Sequence, residues 1–189
     1  MALEKSPSDK LNGFFRGLIR SSFGQLGMRD QQIVEYVASV LSDFSRTDRW
    51  LAIRDAEGRR LSSVVEMMLA RIEPDSKARL IGERALRKYV GDYTLFMSGL
   101  FRKHVERCGY LNYYLEEGRR SYLAVSTLDV SLYRPGFLVF EELGKGFEHY
   151  SGALDYMRKC FFEVAADQDP FAGLFKQIEG WVQLNLSEN

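Results

Sequence analysis

Apolar residues recur along most of the chain at intervals of three and four, the period of an amphipathic helix. The first stripe consists of Leu11, Phe14, Phe15, Leu18 and Ile19. The second begins near Asp30 and consists of Ile33, Val34, Val37, Val40, Leu41 and Phe44. The pattern predicts two helices, the first beginning near Pro7 and ending in the region of Gly24 and Gly27.

The middle of the chain is less regular. Residues 48–60 alternate weakly around a turn signal at Asp55–Gly58, so a helix, a turn and a short extended segment all stay open there. A helical stripe runs from Leu61 to Ile72 and stops before Pro74. The next helix should begin at Asp75 or Ser76. Its expected buried residues are Ala78, Ile81, Ala85, Leu86, Tyr89 and Val90.

Gly91 and Asp92 interrupt this stripe. Glycine disfavours a helix interior and aspartate is a preferred N-cap, so the sequence predicts a break and a restart here. Residues 93–101 are then apolar on all sides, as in a helix buried at the centre of a bundle. Cys108 and Gly109 should end this region.

The rest of the chain is also helical in pattern. A helix over Leu111–Leu128 should bury Tyr114, Leu115, Tyr122, Val125 and Leu128. A loop at Arg134–Gly136 precedes a long apolar segment over 137–162, and a last helix is expected over 170–185. We find no strand pair and no repeat. The sequence therefore predicts an all-α fold, a single-domain bundle over residues 1–189 with seven or eight helices and a central buried helix near 92–102.

The net charge of the chain bears on which classes of partner it can bind. The chain has 26 Lys and Arg against 26 Asp and Glu, a formal net charge of zero. Nucleic-acid binding by bulk electrostatics needs a basic excess, so we do not expect a nucleic-acid partner. Two basic clusters are diluted by neighbouring glutamates; they are Arg84, Arg87 and Lys88, and Arg102, Lys103 and Arg107. The longest apolar run is about half of the roughly 20 residues of a membrane span, so we expect a cytoplasmic protein without membrane contact.

Known catalytic motifs are missing from the sequence. Two histidines and two cysteines form neither a CxxC pair nor an ExxH motif, so we expect no metal and no cofactor. Residues 143–146 contain Gly-Lys-Gly but lack the upstream glycine and the hydroxyl residue of a phosphate-binding loop. We interpret them as a helix break. Cys108 follows His104 by four residues, which permits a Cys–His nucleophile, although a solvated charged face is the favoured interpretation. We expect no catalytic residues, and the chain is more typical of a protein that is not an enzyme.

Residues 91–122 are unusual in their tyrosines. Tyr114, Gly118 and Tyr122 form one helical stripe with a small residue at its centre. The glycine could leave a gap for a ligand, or it could let a neighbouring helix pack closely. The five candidate ligand-binding residues are Asp92, Tyr113, Tyr114, Arg119 and Tyr122, with Asp92 and Arg119 as polar anchors.

The same residues carry a resemblance. GDYTLFMSGLF, followed by NYYLEEGRRSY, resembles a pattern found in an uncharacterised family of all-helical bacterial proteins. The resemblance covers residues 91–122 and implies a helical bacterial protein. It implies no catalytic residue and no mechanism.

Two hypotheses of function follow. The first is a non-enzymatic helical interaction module that binds a second copy of itself, as a homodimer, or another protein. Aromatic residues make up 13% of the chain, and interface cores are enriched in them. The alternative is a small-molecule-binding protein or enzyme with a pocket between helices 92–102 and 111–128.

Overall fold

The computed structural model describes residues 7–46, 76–162, 173–178 and 180, and these residues form helices and turns without a strand. The predicted all-α helical fold is confirmed. The helices are α1 (Pro7–Gln25), α2 (Gln31–Phe44), α3 (Ser76–Leu100), α4 (Arg102–Arg107), α5 (Leu111–Ser131), α6 (Phe137–Lys145) and α7 (Phe147–Phe161), and residues 173–178 are also helical. The predictions for 48–60, 61–72 and both ends of the 170–185 helix lie outside the described residues.

The chain divides into two compact units. Unit 1 comprises residues 1–50 and 153–189, and unit 2 comprises residues 51–152. The division falls within α7, between Gly152 and Ala153. The prediction of one domain over 1–189 stays a prediction.

In unit 1, α1 packs against α2. The Asp30 carboxylate accepts hydrogen bonds from the backbone N–H groups of Gln32 (2.8 Å) and Ile33 (3.2 Å), which fixes the start of α2 where the sequence predicts it. All six apolar residues predicted to be buried in α2 are buried. Phe15 and Ile19 of α1 are fully buried as well. The two amphipathic stripes therefore form the core between these helices.

In unit 2, α3 runs without interruption, so the predicted break at Gly91 and Asp92 is wrong. A Cβ atom at Gly91 would lie 2.7 Å from the ring of Tyr122, which shows that this glycine serves close packing. Ile81 and Ala85 are exposed, contrary to prediction. Arg84 instead turns its side chain toward α5, because a carboxylate there pairs with it.

The centre of unit 2 matches the prediction more closely. Residues 94–101 are all buried, which confirms a central buried helix. In α5, Tyr114, Tyr122 and Val125 are buried, while Leu115 and Leu128 are only half-buried. The predicted long segment over 137–162 is two helices, α6 and α7, separated at Gly146. None of the helices in the described part of the chain is long and apolar enough to span a membrane.

Candidate functional site

Two of the predicted site residues meet across the interface of α3 and α5. The Tyr122 hydroxyl donates a hydrogen bond to Asp92 Oδ1 (2.9 Å), and Lys88 Nζ donates to Asp92 Oδ2 (2.6 Å). Tyr122 is fully buried, and Asp92 is 6% exposed. Both carboxylate oxygens are therefore engaged by groups of the chain itself. Asp92 holds the two helices together here.

Further ion pairs follow the same interface. The Arg84 guanidinium contacts both oxygens of Asp129, with Nε on Oδ1 and Nη2 2.9 Å from Oδ2. It also lies over the ring of Phe140, 5.6 Å from the centroid. Arg87 donates to Glu117 Oε1 over 3.1 Å. Since Asp129 is fully buried, it relies on Arg84 for its compensating charge.

The basic cluster of Arg84, Arg87 and Lys88 is thus engaged in ion pairs within unit 2. Each of the three side chains pairs with a carboxylate of α3 or α5. A nucleic-acid footprint needs cations that face solvent and can displace counterions from phosphates. In this cluster each cation already pairs with a carboxylate of the chain.

The space beside Gly118 is filled by side chains of the chain itself. A Cβ atom there would overlap the ring of Phe147 and lie 2.5 Å from Thr94 Oγ1. The Tyr122 ring packs against Phe147 as well, with centroids 5.8 Å apart. Of the two outcomes that the sequence leaves open at Gly118, the structure has close packing.

Tyr114 lies in a separate cluster of aromatic rings. Its centroid is 6.1 Å from that of Tyr93 and 6.4 Å from that of Tyr110, with which it stacks at 16°. Burial raises the pKa of Tyr93 above its usual range. Burial also raises the pKa of Tyr114, and the neighbouring Tyr93 adds to this effect. Both hydroxyls are therefore neutral at pH 7, so neither is a general base there.

Tyr113 and Arg119 are not brought to Asp92. Tyr113 is 39% exposed, and burial of its hydroxyl raises its pKa. The Arg119 side chain is half-exposed and pairs with Glu116, one turn away on α5, over 3.3 Å. The five predicted residues therefore occupy three places: the α3–α5 interface, the tyrosine cluster and the outer surface of α5. Their joint role in ligand binding stays a prediction.

His104 and Cys108 meet as their spacing predicts. His104 Nε2, on α4, lies 3.8 Å from the Sγ of Cys108, the residue directly after the helix. Cys108 is exposed to solvent. Within the described ranges, no group of three or more His, Cys, Asp and Glu side chains is placed to hold a metal ion.

The end of α5 has an unusual backbone conformation that the sequence does not predict. Tyr133 adopts a left-handed backbone conformation, with φ of 53°. The N–H of Tyr133 donates to Val130 O (3.2 Å), and the N–H of Arg134 donates to Asp129 O (2.8 Å). This pair of bonds is the Schellman motif, whose left-handed position favours glycine because a Cβ atom strains it.

The ends of α1 and α4 use the same motif with glycine. Gly27 (φ 81°) and Gly109 (φ 75°) occupy the left-handed position in those helices. The matching bonds run from Met28 N to Phe23 O (2.8 Å) and from Tyr110 N to Val105 O (3.0 Å). Of these three helix ends in the described part of the chain, only the one at Tyr133 lacks glycine at the left-handed position.

The side chain of Tyr133 is 97% exposed. Val130 (55%) precedes it, and Leu138 (61%) follows it at the start of α6. We name these three residues the α5–α6 corner. Arg134 carries the single charge between residues 130 and 138. The pattern of apolar and polar residues does not indicate the sign of φ at Tyr133. The α5–α6 corner could therefore not be predicted from the sequence.

The chain was also compared with known proteins. The comparisons with family models, with curated proteins and with solved structures give no significant match in any of the three.

Proposed function

We propose that this chain is a helical interaction module that associates as a homodimer through the α5–α6 corner. The observation that carries the proposal is Tyr133, an aromatic residue at a position where glycine is favoured and where its side chain gains almost no contact within the chain. A left-handed conformation costs a residue with a Cβ atom about 1–2 kcal/mol. Burial of the ring against another molecule offsets that cost.

The composition of the corner suits a protein interface. Interface cores are depleted of charged side chains and enriched in tyrosine and arginine. Along the chain, Tyr133 lies between two exposed aliphatic residues, and Arg134 is the one charged residue between positions 130 and 138. An aromatic side chain that becomes buried when two chains associate is typical of the residues that contribute most to binding.

A second copy is the occupant that the charge of the chain favours. The formal net charge is zero, so two copies have no net electrostatic repulsion to overcome at neutral pH. In a two-fold dimer the same patch is used by both subunits. Tyr133 of each copy would then pack against the corner of the other.

Sedimentation equilibrium over a concentration series tests the proposal with the variant Tyr133→Gly. We expect the unmodified chain to dimerise and the variant to dimerise at least about tenfold more weakly, since an anchor residue contributes more than 1.4 kcal/mol. Leu138→Ser should weaken the dimer in the same direction. Tyr110→Ala is the matched control, because it removes a tyrosine that is 56% exposed elsewhere on the surface.

Effects of these variants on the stability of the monomer can be distinguished from their effects on dimerisation. At concentrations where both chains are monomeric, Tyr133→Gly should be more stable than the unmodified chain, because it relieves the strained position. A monomer at all concentrations would overturn the homodimer. A dimer that survives both Tyr133→Gly and Leu138→Ser would overturn the α5–α6 corner as its interface.

A further inference from the structure

We propose that His104 and Cys108 chelate a divalent ion of the zinc class at the C-terminal end of α4. The two side chains lie one helical turn apart, and His104 Nε2 is 3.8 Å from Cys108 Sγ. This inference is independent of the homodimer proposed above, because both ligands belong to one chain.

The distance between the two atoms suits a shared ion. Zinc binds thiolate sulfur at about 2.3 Å and imidazole nitrogen at about 2.0–2.1 Å in tetrahedral geometry. Those lengths place sulfur and nitrogen roughly 3.6 Å apart across the metal. A small rotation of either side chain closes the remaining difference.

The chemistry of the pair selects the class of ion. A thiolate is a soft ligand and imidazole a borderline one, so together they prefer Zn²⁺ and Co²⁺ to Mg²⁺ or Ca²⁺. Binding displaces the thiol proton to solvent, and the resulting thiolate neutralises one charge of the ion. This offsets the unfavourable influence of Lys103 and Arg107, which flank the pair on α4.

Water completes the coordination in this proposal. Cys108 is exposed, so solvent reaches the open positions of the ion. The other described thiol offers a comparison within the chain. Cys160 is also exposed, but its neighbour one turn away is Tyr156, whose phenol is protonated at neutral pH and is a poor metal ligand. Cys108 should therefore bind the ion and Cys160 should not.

Cobalt alone, added to the reduced chain, is the probe. Co²⁺ bound to thiolate gives a charge-transfer absorption in the near ultraviolet. We expect this band to saturate at one ion per chain, to persist in Cys160→Ser and to disappear in Cys108→Ser. His104→Gln should weaken cobalt binding at least about tenfold, since it removes one of two protein ligands. Equal affinity in His104→Gln, or a band that follows Cys160, would overturn the proposal.

A measurement on the unmodified chain covers the case in which a variant does not fold. Alkylation of the two cysteines is followed by mass spectrometry with and without Zn²⁺. The expected result is slower alkylation of Cys108 in the presence of zinc and an unchanged rate at Cys160. Equal protection of both thiols, or protection of neither, would count against chelation by His104 and Cys108.

Discussion

Tyr122 donates a hydrogen bond to Asp92 over 2.9 Å, and this bond joins residues 30 positions apart on two antiparallel helices. Lys88 occupies the other oxygen of the same carboxylate. The three groups satisfy one another inside unit 2. They stabilise the α3–α5 interface at the place where the sequence suggests a ligand.

The first prediction concerns this hydrogen bond. Tyr122→Phe keeps the ring but leaves Asp92 Oδ1 without its buried donor, so we expect a loss of about 1–3 kcal/mol in the free energy of unfolding. Urea denaturation measures it. Tyr110→Phe, which removes a hydroxyl from a more exposed ring, should change stability by less than about 0.5 kcal/mol. Equal effects of the two variants would show that the bond contributes nothing measurable.

The second prediction concerns the buried ion pair of Arg84 and Asp129. Asp129→Ala removes the buried carboxylate whose two oxygens contact Arg84, and it should cost about 3–5 kcal/mol of unfolding free energy. Glu116→Ala is the control, since its pair with Arg119 is about half-exposed and should contribute no more than about 1 kcal/mol. The double variant Arg84→Met/Asp129→Leu should regain much of the loss, because apolar side chains replace both charges of the pair together. A double variant as unstable as Asp129→Ala would contradict this account.

The third prediction compares two glycines in helices. Gly118→Ala forces a methyl group into the ring of Phe147, so we expect a loss of at least about 1–3 kcal/mol. Gly13→Ala, in α1, adds a methyl group that meets nothing within 4 Å apart from its own stretch of helix backbone, and it should gain about 0.5–1 kcal/mol from helix propensity. Thermal unfolding measures the two changes in stability, which should have opposite signs. Phe147→Leu in the Gly118→Ala background should restore part of the loss, and failure to do so would indicate a different source of strain.

The helices were predictable where local chemistry decides them. Asp30 caps α2 through its own carboxylate, and the apolar period of α2 selects its buried face without reference to the rest of the chain. Gly91 and Asp92 show the limit of such reasoning. Their local preferences favour a break, but contacts with Tyr122 from α5 outweigh those preferences. The partner of a residue 30 positions away is set by tertiary packing, which periodicity does not report.

The candidate site shows the same division. The spacing of His104 and Cys108 was sufficient to place both on one face of a helix. The sequence could not show whether Asp92 and Arg119 meet, because the two residues lie on different helices. The packing of those helices turns Arg119 outward. Tyr133 was not predicted as a site residue. It stands out by its positive φ and by the exposure of its side chain, and both depend on how α5 ends.

The last prediction concerns alkaline pH. Burial raises the pKa of Tyr114 above the ordinary value of about 10 for tyrosine. A group whose pKa is higher in the folded chain stabilises it below the unfolded pKa, and that stabilisation is lost as the pH rises toward the folded pKa. Unfolding free energy should therefore fall above about pH 10, and less steeply in Tyr114→Phe. Urea denaturation from pH 8 to 11 measures both slopes, with Tyr133→Phe as the exposed control; equal slopes in all three chains would refute the contribution of Tyr114.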